Sequence, residues 1–193
     1  MPRAVRYLWL SITSLVTTVV VCVILQPDGV LSHAGLSYFG NFGRTLIPYS
    51  IGMVATAYFL LRACFTLGSP HGLISRSFRY GLEGIAIGLL GIVATPSLSP
   101  LHFIRDVHVA FGIIIFITQA VLSLRYLIRV RGGAADWALL VLQLFAIVIV
   151  GLSTGRVGLL DWMLPAQLLA VVSFFALLIR AVNHATSHAK VSV

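Results

Sequence analysis

The chain has 193 residues, of which 59% are hydrophobic and only 9% charged, and its formal net charge is +8. A soluble domain is about 45–50% apolar and about 25% charged, so this balance excludes an ordinary water-soluble globule. It also turns the positive charge away from nucleic acid, because the basic residues fall between apolar runs long enough to meet the ~30 Å core of a bilayer.

The N-terminal stretch MPRAVRYLWLSITSLVTTVVVCVILQPDG starts positive and then runs apolar from Leu8 to Leu25. A secretory signal has a core of about 7–15 residues and a small-residue cleavage site, and neither feature fits. The segment therefore reads as a retained helix, about Tyr7–Leu25. The loop QPDGVLSHAGLSYFGNFGRT follows, with no obvious element of its own. Apolar runs then predict helices at about Leu46–Thr66, Phe78–Ala94, Ile104–Ile128, Asp136–Leu152 and Leu159–Val182. The expected fold class is all-α: a polytopic transmembrane bundle of six helices forming one integral membrane domain over residues 1–193. Cys22 and Cys64 both lie in apolar segments, where they read as small packing residues and not as a disulfide or a metal site.

The basic residues give an orientation. Arg3, Arg6, Arg62, Arg76, Arg79, Arg125, Arg129, Arg131, Arg180 and Lys190 fall on one side, against Arg44, Arg105 and Arg156 on the other. Positive charge stays in the cytoplasm, so both termini are expected there, in a multi-pass protein of the cell membrane. Trp9, Trp137 and Trp162 fall near predicted helix ends, where tryptophan anchors at the interface.

Helix 3 carries Gly81, Gly84, Gly88 and Gly91 at spacings that form a stripe for close helix approach. Glu83 stands four residues after Arg79, one turn in from the basic end, and the two are expected to pair. Gln119, Gln143 and Gln167 fall near mid-helix or in the outer half of helices 4, 5 and 6 and are expected to bond between helices. They form no polar line sufficient for a channel. No repeat relates the two halves of the chain, which argues against an inverted-repeat transporter.

The candidate chemistry lies on the side with fewer positive charges. HFIRDVHVAF, residues 102–111, leads straight into an apolar run. At 100° per residue, His102, Arg105, Asp106 and His108 fit an arc of about 160°, so one broad face of helix 4 can turn them inward. Ionisable residues within a span are candidates for function by default. Asp106 and His108 are the candidate acid–base pair, since imidazole titrates near neutral pH. Asp28, His33, Arg44, His102, Arg105, Arg156 and Asp161 are the candidate ligand-binding residues, with guanidinium groups suited to phosphate or carboxylate. The competing reading makes Arg105–Asp106 and Arg156–Asp161 neutralising contacts that pin helix ends. The first outer loop mixes glycines with Tyr38, Phe39 and Phe42 and suits either a lid over an amphiphile or a segment at headgroup depth. No metal is expected: the histidines of this side show neither H-x-H nor H-x-x-x-H spacing. HATSH at 184–188 has the spacing but reads as a frayed, solvated end.

The plan resembles DRAM/Sfk-type membrane proteins and their bacterial relatives of unknown function. The resemblance rests on six helices, a long first outer loop, and the D-x-H-x-A of Asp106, His108 and Ala110 at the entry to helix 4. It implies a lipid-linked role without assigning an activity or a catalytic residue. The expected function is binding of an amphiphile or lipid headgroup in an outward-facing polar pocket. Two alternatives are an enzyme acting on a lipid or isoprenoid, and a non-catalytic subunit of a membrane complex. The expected partners are membrane lipids, an anionic amphiphile, and a second copy or a membrane partner; the sequence assigns no cofactor.

Overall fold

The computed structural model describes residues 3–32, 35–67, 76–154 and 162–191. The described residues form six α-helices and two short 3₁₀ helices, with no strands. The α-helices are α1 Arg3–Leu25, α2 Gly43–Thr66, α3 Arg76–Ala94, α4 His102–Val130, α5 Ala134–Thr154 and α6 Met163–Val191. Five of them, all but α3, are long and apolar enough to cross a membrane. Arg76, Arg79 and Glu83 crowd the start of α3 and leave it a shorter uncharged stretch.

Most helices begin or end a few residues beyond the apolar runs, because caps and first turns recruit polar residues that hydropathy ignores. α4 thus starts at His102 and ends at Val130, capped by Arg131, whose φ of 52° is the left-handed conformation that stops a helix. α6 starts at Met163, and its backbone stays helical through the HATSH stretch to Val191. The main correction concerns the long loop, which holds two 3₁₀ helices, Pro27–Leu31 and Gly35–Asn41.

Successive helices pack side by side: α1 on α2, α2 on α3, α3 on α4, and α5 on α6. α6 then closes against α1 and α4. The tightest contact is between α1 and α2, where a Cβ placed on Gly52 would lie 1.6 Å from Thr18 Oγ1. Ser11 Oγ donates to the Thr56 carbonyl across the same seam at 2.9 Å. In lipid, apolar burial drives association weakly, so small residues and interhelical hydrogen bonds of this kind hold helices together.

The α3 glycines divide. Gly81, Gly88 and Gly91 receive Leu122, Ile115 and Phe111 of α4, whereas Gly84 faces open space. Arg79 and Glu83 pair at 3.6 Å, as expected for residues four apart. Trp9, Trp137 and Trp162 are all exposed, in keeping with interfacial anchors. Cys22 and Cys64 are buried free thiols.

Candidate functional site

The loop after α1 is cross-linked to the bundle by polar side chains, and His108 stands at the centre. It lies in the second turn of α4 and is only 8% exposed. Its Nδ1 contacts the carbonyl of Thr95, the residue just past the end of α3. A carbonyl only accepts, so Nδ1 carries a proton. Ser37 Oγ, from the second 3₁₀ helix, shares a hydrogen bond with Nε2 at 2.7 Å. Both ring nitrogens are thus engaged.

Asn41 extends the clasp. Its Nδ2 donates to the Ser37 carbonyl at 2.7 Å and to Ser97 Oγ at 2.8 Å. Its Oδ1 accepts the Leu98 amide at 3.2 Å, so one side chain ties the first loop to the α3–α4 connection. On the other flank, Gln167 Oε1 of α6 accepts the Leu36 amide at 2.8 Å. Gly35 makes that approach possible. Its φ is 55°, and a Cβ there would fall 2.3 Å from the same oxygen. Phe39 anchors the segment from within, with no exposed surface, and Thr45 Oγ1 donates to its carbonyl at 2.7 Å. The loop is therefore a packed cap and not a free flap.

The charged candidates take a different position. Asp28, Arg44, His102 and Asp106 are exposed, and Arg105 is half-buried. Arg105 donates to His102 Nδ1 and makes no ion pair with Asp106, so the expected neutralising contact between neighbours is absent. Among the described residues neither Arg44 nor Arg105 forms an ion pair. Asp106 and His108 part company: one faces out from α4 while the other is buried behind Ser37. His33, Arg156 and Asp161 lie outside the described residues. No group of three or more metal-ligating side chains gathers among the described residues.

Sequence reasoning passed over Ser37, Asn41, Thr95 and Ser97, since small polar residues beside glycine and proline in loops are common and unspecific. It expected Gln167 to bond to a neighbouring helix, and the partner is a loop amide. It also passed over Asp136 at the opposite end, where the arginines collect. That carboxylate is 4% exposed, accepts the Gly133 amide through Oδ2 at 3.1 Å, and accepts Arg180 Nε through Oδ1. The clue was a lone acidic residue among cations at a helix start.

No family model, curated protein or solved structure matches the chain.

Proposed function

We propose that the chain is a six-span membrane protein, with both termini cytoplasmic, whose loop-capped outer end binds the anionic headgroup of an amphiphile. Arg44 and Arg105 supply the positive charge, and the apolar helix flanks receive the tails. The observation that carries this reading is that Arg44 and Arg105, both at the loop-capped end, form no ion pair among the described residues. An acid–base pair must lie together within hydrogen-bond reach of the substrate. His108 is buried behind Ser37, and Asp106 is exposed on a different side of the helix. Catalysis by that pair therefore has less support than binding on a pre-formed surface, where guanidinium forks meet phosphate or carboxylate oxygens.

The test is native mass spectrometry of the protein released from mild detergent after equilibration with phosphatidylglycerol or phosphatidylcholine. Retention of discrete anionic lipid that drops in Arg44→Ala/Arg105→Ala, with zwitterionic lipid unaffected, supports the reading. Equal retention of both lipids by the wild type and the double variant overturns it. Turnover of added lipid that stops in His108→Ala favours the enzyme reading instead.

A further inference from the structure

The interior of the bundle holds a second polar feature, distant from the cap and unused by the proposed binding surface. On α4, Gln119, Ser123 and Tyr126 recur at spacings of four and three and so share one face. All three are buried, at 3%, 3% and 7% exposure. Gln119 Oε1, Ser123 Oγ and Tyr126 OH each lack a hydrogen-bond partner, as do both polar atoms of Gln143 in α5. Tyr126 and Leu127 of α4 pack with Leu140 of α5. The helices run antiparallel, so Ser123 and Gln143, each about one turn deeper, lie at a similar level.

Ser123 and Tyr126 line a cavity of about 10 Å³ between α3, α4 and α6, together with Phe78, Leu122, Phe174 and Leu178. That is room for one water-sized centre, and a water persists in such a place only when polar groups receive it. Two hydroxyls with no other partner meet that need. Buried polar groups in native proteins are almost always satisfied by protein or by ordered water. Toward the cap the seam is closed, because Phe111 and Ile115 fill the hollows over Gly91 and Gly88. Toward the other end it meets Tyr126, which feels the charges of Asp136 and Arg180.

We propose that this seam binds one internal water molecule, which bridges Ser123 Oγ and Tyr126 OH. The test is hydroxyl-radical footprinting by radiolysis of the protein in lipid nanodiscs, where radicals born from bound water mark the side chains beside it. Tyr126 is labelled although buried, while Phe39, buried in the cap, is not. Ser123→Val fills the cavity and removes the label on Tyr126. Ser123→Ala, which withdraws one of the two partners without adding bulk, weakens it in a protein that folds. A Tyr126 as silent as Phe39, or a label unchanged in both variants, overturns the proposal.

Discussion

Gly52→Ala separates two effects of opposite sign on the α1–α2 seam. Alanine is favoured over glycine in a helix by about 1 kcal/mol, so propensity alone predicts stabilisation. Packing predicts the reverse. The new Cβ would stand 1.6 Å from Thr18 Oγ1 and 2.6 Å from both Thr18 Cβ and Cγ2. Rotating the threonine does not relieve the contact with its own Cβ, so the helices must part by about 0.8 Å to reach ordinary contact at 3.4 Å. Overpacking of this kind costs about 1–3 kcal/mol. Separation also stretches the bond from Ser11 Oγ to the Thr56 carbonyl, and a hydrogen bond within a membrane bundle contributes about 0.6–1.7 kcal/mol. Packing wins, with a net loss of about 1–3 kcal/mol after the propensity gain. The assay is reversible unfolding in mixed micelles as the denaturing detergent is raised. Gly84→Ala is the internal reference, since a Cβ there meets nothing within 4 Å and reports propensity alone. Adding Thr18→Ala to Gly52→Ala removes two of the three clashes and recovers part of the loss. A Gly52→Ala protein as stable as Gly84→Ala would refute the reasoning.

Two further outcomes follow from the polar contacts. Arg180→Ala strands the Asp136 carboxylate, which is 4% exposed, and destabilises by about 1–3 kcal/mol, less than a fully buried pair because Arg180 is half exposed. Asp136→Ala/Arg180→Ala is less destabilised than Arg180→Ala alone, and the same unfolding assay checks the order. His108→Ala removes the hydrogen-bond partner of Ser37 and the donor to Thr95, a loss of about 1–3 kcal/mol in the cap. Hydrogen exchange at Leu36–Asn41 rises in that variant, while exchange in the α5–α6 pair stays as it was.

The helices were legible because each depends on a long apolar run, a signal that survives without knowledge of neighbours. The Arg79–Glu83 pair was legible for a similar reason: its geometry is local to one helix. The clasp was not, because Ser37, Asn41, Thr95 and Ser97 acquire meaning only when three separate segments meet. Helical angle alone put Asp106 and His108 within one broad arc, yet 160° of arc is wide enough to hold a buried and an exposed side chain together. The division of the glycine stripe was equally hidden, since Gly84 differs from Gly88 only in having no helix opposite. Glutamine patterns pointed to interhelical bonds, whereas Gln119 Oε1 and both polar atoms of Gln143 are buried without a hydrogen-bond partner.

The central claim places the loop-capped end and the arginine-rich end on opposite sides of one bilayer. Single cysteines at Asp28 and Arg131, both exposed in the structure, test it most directly, in a background with Cys22 and Cys64 replaced by alanine. Intact cells are treated with a membrane-impermeant maleimide before and after permeabilisation. The account predicts that Asp28→Cys reacts from outside and Arg131→Cys only after permeabilisation. Reaction of both from the same side, or the reverse pattern, would contradict it.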